Sequence, residues 1–238
     1  MKLDGLSLFF PCHNEETNVE RVIDEASQVA AQVAESYEVI IVDDGSCDRT
    51  PEIVQSMAQS RPALKLVRHP TNRGYGEALK SGFRAARFPW VFYSDGDGQF
   101  DLNELPSLVE LTSQADIISG VRVRRADPWH RKLNAQIFAA ALRVFMGLDI
   151  PDIDCAFKLY RRSLFNEIQM ITTGALIDAE ILVKARRMGY RIATVGVSHR
   201  PRRAGVQSGA NLSVIFRAMK EFWALWWDLR TYGKRVPV

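Results

Sequence analysis

Long apolar runs are missing from this chain. A membrane-crossing helix needs about 18 or more consecutive apolar residues; no such stretch occurs, so no transmembrane helix is predicted. Cysteine is scarce. Cys12, Cys47 and Cys155 form no C-x-x-C pair and are odd in number. That excludes a disulfide framework and a thiolate zinc site, and it fits a reducing compartment. Charge of one sign is lacking too: 31 Lys and Arg against 28 Asp and Glu leave a net +3. A strong nucleic-acid binder is usually more basic, so nucleic acid is not an expected partner. The opening MKLDGLSLFF lacks the layout of a signal peptide, because Pro11, His13, Asn14 and Glu15 follow at once. What is present, 47% hydrophobic and 25% charged residues over 238 positions, suits a globular chain with a sizeable core and excludes disorder.

The first half alternates strand and helix patterns. Leu6 to Pro11, Tyr37 to Val42, Leu64 to Val67, Trp90 to Tyr93 and Ile117 to Ser119 read as strands. Between them, Asn18 to Glu35 carries apolar residues at helical spacing, Thr50-Pro51 opens a helix with Pro in its first turn, and Tyr75 to Arg87 reads as a third helix. Such alternation predicts an α/β fold, a mostly parallel central sheet with helices on both faces. Downstream, Pro128 to Leu148 reads as a long helix with a basic start, Asp152 to Arg162 as a polar turn and a strand, Ile177 to Met188 as a helix and Tyr190 to His199 as a strand. Asn211 to Arg230 reads as a final amphipathic helix, with Trp223, Trp226 and Trp227 suited to a membrane interface and equally to packing on the domain or a second subunit.

Ligands collect at the carboxyl ends of strands in parallel sheets. Three such ends are crowded with polar residues: Cys12 to Glu16, Asp43 to Asp48, and Asp95 to Asp101. In Ser94-Asp95-Gly96-Asp97-Gly98-Gln99, two carboxylates two residues apart could approach one hard cation, and Mg²⁺ typically takes one or two carboxylates plus substrate phosphates. An EF-hand loop counted from Asp95 fails, because Pro106 stands where its last acidic ligand belongs. An aspartyl phosphatase would place Thr or Val where Gln99 stands. A solvated turn is the plain alternative. Asn72 to Ala78 starts like a dinucleotide or Walker loop, but Leu79 stands where either needs Gly. What remains is a Gly turn at a helix N-terminus, where backbone N–H groups can face an anion, or equally an ordinary strand-to-helix turn.

In order along the chain, these motifs resemble inverting family 2 glycosyltransferases of the GT-A fold. Pro11-Cys12-His13-Asn14-Glu15-Glu16 resembles their P-x-x-N-E-E opening, Val42 to Asp48 their V-D-D-G-S-x-D, and Asn72 to Ala78 their N-x-G-x-G-x-A. Asp95 to Gln99 is similar to the D-x-D-x-Q metal motif of the polyprenyl-phosphate hexose synthases in that family. Gly120-Val121-Arg122, Arg131 with Asn134, Asp152 to Lys158, Asp178 to Leu182, and Arg202 to Gly205 continue the likeness. His13 departs from a frequent Tyr and Ala156 from the usual Gly.

The resemblance implies a GT-A domain over 1–210, with a nucleotide-binding half over 1–120 and an acceptor half over 121–210, followed by a helix and tail over 211–238. It implies transfer of mannose or glucose from a nucleotide sugar, GDP-mannose or UDP-glucose, to a polyprenyl or dolichyl phosphate. Pro11, Asn14, Glu15, Asp43, Asp44, Gly74 and Asp95 would bind the nucleotide; Asp95, Asp97 and Gln99 would hold Mg²⁺ or Mn²⁺; Arg202 would meet the diphosphate; Arg122 and Arg131 would meet the acceptor phosphate. Asp97, Arg202 and Glu180 are the catalytic candidates. A saccharide hydroxyl is the alternative acceptor and would need a base, with Asp154, Asp178 and Glu180 as candidates. For Glu180 the competing reading is an ion pair with Lys184 on a helix surface. A nucleotidyltransferase would want a Gly-rich basic loop that Pro11 to Glu16 does not offer, and a non-catalytic adaptor is opposed by Asp95, Asp97 and Arg202. The expected setting is cytoplasmic, peripheral at the cytosolic membrane face, with a second copy or a membrane protein as further partners. The cysteines are expected to be small buried residues, and His69 and His199 are given no chemistry.

Overall fold

A computed structural model describes residues 2–123, 140–174, 176–200 and 212–232. Its elements run β1 (Leu6–Cys12), α1 (Val19–Val33), β2 (Tyr37–Asp43), α2 (Thr50–Ala58), β3 (Leu64–Arg68), α3 (Tyr75–Ala85), β4 (Trp90–Ser94), α4 (Leu105–Val109) and β5 (Ile117–Arg122). They continue with a helical stretch α5 over 140–146, β6 (Phe157–Arg161), α6 (Leu164–Glu167), α7 (Ile177–Arg187), β7 (Ile192–Val197) and α8 (Leu212–Tyr232). The long helix expected over Pro128 to Leu148 is described only in α5, which ends at Gly147 with φ 70°.

The seven strands form one sheet in the order β3-β2-β1-β4-β6-β5-β7. Every pairing is parallel except those of β6, which runs against both β4 and β5. Right-handed crossovers put α1 and α2 on one face; the return from β3 to β4 puts α3 on the other. The contacts agree: α1 touches α2 and α4, while α3 lies against β1, β2 and β3. Chain order reverses between β1 and β4, where such sheets form their binding crevice. β1 pairs with β4 only from Leu6 to Phe9. Pro11, which has no N–H, therefore sits where no ladder bond to β4 is needed.

Phenyl rings fill both sides of this junction. On the α3 face Phe9 meets Phe83 edge-on at 4.8 Å and stacks on Tyr93 at 5.5 Å. Gly82 lets the helix close in, since a Cβ there would lie 2.2 Å from the Phe9 ring. On the other face Phe92 meets Phe157 at 4.8 Å. Each such fully buried ring contributes about 1.5–3 kcal/mol.

At the opposite end of the sheet the fully buried Glu38 accepts from Ser7 Oγ (2.7 Å), Lys65 Nζ (2.6 Å) and the Arg87 amide (2.9 Å). Burial alone would push its carboxyl up, but the Lys65, Ser7 and Arg87 bonds together hold it below the usual carboxylate range. A lowered folded value adds stability that is present above the unfolded pKa and is lost as pH falls through the folded one. Glu38→Gln is therefore expected to flatten the fall in urea midpoint between about pH 5 and pH 3. An unchanged acid limb would remove Glu38 as a source of it.

Candidate active site

The loops after β1 and β2 are latched to each other. Asn14 takes a left-handed turn (φ 57°), its amide donates to Ser46 Oγ (2.9 Å), and its Oδ1 accepts from the Cys47 amide (2.9 Å). The Glu15 amide donates to Thr50 Oγ1 and its carboxylate accepts from Asn18 Nδ2 (2.7 Å). The Glu16 amide reaches Asp48, and the Arg49 amide returns to Glu16. Gly45 (φ 71°) passes so close to the third loop that a Cβ would stand 2.4 Å from the Asn72 nitrogen.

Asp43 is buried. Its Oδ1 accepts from the Ser46 amide at 3.0 Å. Its Oδ2 lies 3.3 Å from Arg68 Nε as an ion pair but takes no hydrogen bond among the described residues. It is a buried acceptor in need of a donor. Asp44 differs. Its carboxylate accepts from His69 Nδ1 (2.6 Å) and from the amides of Arg73 (2.9 Å) and Gly74 (2.8 Å). Asp44 thus holds the glycine loop, with His69 braced in turn by Ser81 at 2.9 Å. The glycine loop also leans on 171–174. The Gly76 amide donates to the Thr173 carbonyl at 3.1 Å, and a Cβ on Gly76 would stand 2.5 Å from it.

The D-x-D turn follows β4. Gly96 packs on Cys12, where a Cβ would stand 2.3 Å from the sulfur. Asp97 Oδ1 accepts from the Gln99 amide at 3.0 Å and shapes the turn. Burial first, then the charges of Asp97 and Asp178, push the Asp95 carboxyl up to about 7, against the Tyr75 hydroxyl and Lys158, which pull it down. Burial also pushes the Cys12 thiol well up, and the charges of Glu15, Asp43, Asp95 and Asp97 add to this. Cys12 is thus a neutral packing residue that feels the charge of four carboxylates from the ends of β1, β2 and β4. Among the described residues no three Asp, Glu, His or Cys side chains group closely enough to hold an ion by themselves. Asp95 and Asp97 offer the hard oxygens that Mg²⁺ or Mn²⁺ takes when substrate phosphates complete the set.

Gln99, expected as a metal ligand, turns its side-chain nitrogen to the Arg200 carbonyl (2.9 Å), while the Arg200 amide returns to the Gln99 carbonyl (2.8 Å). It ties the segment leading to residue 202 beside the D-x-D turn. Arg202 and Arg131 themselves lie outside the described residues.

Two expected site residues are held by partners within the fold. Arg122, expected on an acceptor phosphate, is clamped by Asp152: Nε at 2.8 Å and Nη2 at 2.6 Å meet its two oxygens. A bidentate pair this well formed makes Arg122 a strut for the turn before β6. Glu180, expected to be catalytic, is fully buried. Oε1 accepts from the Ile171 amide (2.8 Å) and Lys184 Nζ (2.7 Å); Oε2 accepts from the Thr172 amide (2.8 Å) and hydroxyl (2.5 Å). A carboxylate meeting four donors has no role left for a reacting proton. The ion pair with Lys184 forms, but in the core and not on the helix surface. Cys47, expected to be buried, is exposed.

Sequence reasoning missed a buried polar chain behind the D-x-D turn. Lys158, fully buried on β6, donates to Asp178 (2.7 Å), to the Cys155 carbonyl (2.6 Å) and to Tyr93 Oη (3.2 Å); Tyr93 donates to Asp178. Lone polar residues in apolar strand runs were the available signal.

Three comparisons fit this geometry. The family model described as glycosyl transferase family 2 matches residues 7–169. An undecaprenyl-phosphate 4-deoxy-4-formamido-L-arabinose transferase of Aeromonas hydrophila is 31% identical over 164 residues, covering 68% of this chain and 50% of the relative. Glycosyltransferase AglD of Haloferax volcanii is 30% identical over 207 residues, covering 83% of this chain and 33% of the relative. The chain spans about half the length of the first of these and about a third of the second. In fold it is similar to glucosyl-3-phosphoglycerate synthase of Mycobacterium tuberculosis in complex with UDP, at a TM-score of 0.70 and 22% identity over 99% of this chain and 82% of that one. A complex of that enzyme with Mn²⁺, UDP and glucosyl-3-phosphoglycerate gives 0.66 and 21%, over 99% and 81%.

Proposed function

The chain belongs to glycosyl transferase family 2, and on that premise we propose that it is a metal-dependent inverting enzyme that moves a hexose from a nucleoside diphosphate to a polyprenyl phosphate. The observation that carries this reading is the placing of Asp43 at the end of β2 and of Asp95 and Asp97 just past β4, the two strands that flank β1 where chain order reverses. Asp43 Oδ2 would accept an N–H of the base. Asp95 and Asp97 would hold Mg²⁺ or Mn²⁺. The bound metal would neutralise charge growing on the departing diphosphate. Arg202, led in by the Gln99–Arg200 tie, would add a fixed positive charge. The Gly74 and Gly76 amides at the start of α3 suit the phosphates by position, although Gly74 already donates to Asp44.

The acceptor choice follows from proton bookkeeping. A phosphate monoester has its second pKa near about 6 and attacks as an anion at neutral pH. No base is required. Of the three carboxylates that a hydroxyl acceptor would call on, Asp178 is paired with Lys158 and Tyr93, and Glu180 meets four donors. Only Asp154, exposed in the turn before β6, remains for the saccharide reading. The Aeromonas relative, by its name, transfers to undecaprenyl phosphate, which supports that acceptor here. The sugar in that name is an arabinose derivative, so mannose and glucose rest on the motif resemblance. A lipid acceptor would place the chain at the cytosolic membrane face.

The test is incubation with undecaprenyl or dolichyl phosphate, Mg²⁺ or Mn²⁺ and a panel of UDP- and GDP-sugars, read by mass spectrometry. One donor is expected to give polyprenyl-phosphate sugar. Donor binding without lipid product would move the reading to a saccharide acceptor, and no donor binding at all would end the enzyme reading.

A further inference from the structure

Helix α8 has two unlike faces. The inner one is fixed to the domain. Leu225 and Leu229 are buried, Asp228 pairs with Lys184 at 2.8 Å, and Glu221 accepts from the Thr173 amide and hydroxyl and the Gly174 amide. The outer face carries Met219 (56% exposed), Trp223 (52%) and Trp227 (66%) at i, i+4 and i+8. Lys220 and Arg230 are exposed with them. From α5, Val144 (76%) and Phe145 (47%) extend the same patch: the Phe145 ring lies 5.8 Å from Phe222 and 6.0 Å from Trp223. These five residues are most of the large exposed hydrophobics among the described residues.

Charge selects the occupant. Both acidic residues of α8 in this region, Glu221 and Asp228, are engaged with the domain. Among the described residues of α8 the outer face therefore offers tryptophans and cations and no carboxylate, and past α5 the exposed Asp149 is paired with Arg143 at 3.8 Å. That combination matches the interface of an anionic bilayer, where indole rings settle at headgroup level and Lys and Arg meet lipid phosphates. Among the described residues no helix is long and apolar enough to cross a membrane. The face also has a direct line to the candidate active site, because Glu221 holds Thr173 and the Thr173 carbonyl holds Gly76 in the glycine loop.

We propose that the outer face of α8, with Val144 and Phe145 of α5, docks on the surface of an anionic membrane and sets the glycine loop beside the headgroup layer. The purpose of this docking rests on the lipid-acceptor reading; the surface itself does not.

Sedimentation with phosphatidylglycerol/phosphatidylcholine vesicles that contain no polyprenyl phosphate tests the docking alone. The wild type is expected to bind, roughly tenfold more tightly than to pure phosphatidylcholine. Trp223→Ser/Trp227→Ser is expected to lose about tenfold or more of that binding. Its thermal midpoint should fall slightly, because Trp223 packs edge-on against Phe145, Phe222 and Trp226, while Trp227→Ser alone should weaken binding and keep the midpoint. With a short-chain, water-soluble prenyl phosphate the double variant is expected to keep wild-type turnover, so failure of docking and failure of the transferase reading separate cleanly. A wild type that ignores anionic vesicles overturns the proposal, as does a variant that binds them equally well. A concentration-dependent dimer that the double substitution dissociates, without vesicle binding, gives the face to a second copy and overturns it too.

Discussion

Asp97→Asn is expected to lower sugar transfer by about 10²–10³-fold with little change in thermal midpoint. The two effects separate because Asp97 does two things. Its Oδ1 accepts from the Gln99 amide and shapes the turn, and the Asn carbonyl can do the same. Its charge faces Asp95, whose carboxyl is already pushed up to about 7 by burial and by Asp97. Losing one charge from that crowded pair relieves repulsion in the metal-free protein, so folding does not suffer. It removes half of the carboxylate set proposed for the cation. Chelation of the wild type should reproduce the loss and added Mn²⁺ should reverse it, while the variant should need far more Mn²⁺ in a calorimetric titration with donor present. Full turnover by Asp97→Asn would take the metal out of the mechanism.

The first half of the fold was legible because most strands there are short apolar runs closed by Asp, Asn, Gly or Pro, and the helices show their apolar stripes. The polar strand ends did mark the edge where Asp43, Asp95 and Asp97 gather. Strand direction was not legible. A mostly buried run such as Phe157–Arg161 carries no mark of its direction, yet β6 runs against both of its neighbours. Pairing across long stretches of chain was equally hidden. Arg122 looked like a phosphate ligand because guanidinium suits phosphate, yet its partner waits 30 residues on at Asp152. His69 had no partner nearby in sequence; the fold supplies Asp44 from 25 residues before and Ser81 from 12 after. Local chemistry says what a side chain can bind, and the tertiary fold decides whether something already holds it.

Glu180 carries that lesson to its largest stability effect. Glu180→Ala is expected to cost about 3–5 kcal/mol, because it strips a buried cation of one carboxylate and leaves the Ile171 and Thr172 amides without acceptors. Lys184 keeps Asp228 and the Gln169 carbonyl, at 2.8 Å and 2.7 Å, which limits the loss. For a chain of this length that is a fall in thermal midpoint on the order of 10 °C. Glu180→Gln retains an acceptor for Thr172 but turns an NH₂ toward Lys184 or the Ile171 amide, donor against donor, and should fall between the two. A catalytic carboxylate would behave in the opposite way, with the Gln variant stable and inactive. Turnover per folded molecule, measured well below the midpoint, is instead expected to stay within about tenfold of wild type. The loss that does appear should enter through donor KM. The segment that Glu180 holds presses Thr173 against Gly76, so loosening it loosens the glycine loop. Faster hydrogen exchange at Ile171, Thr172 and Gly76 together, in the Ala variant alone, would trace that path from a buried ion pair to the substrate loop.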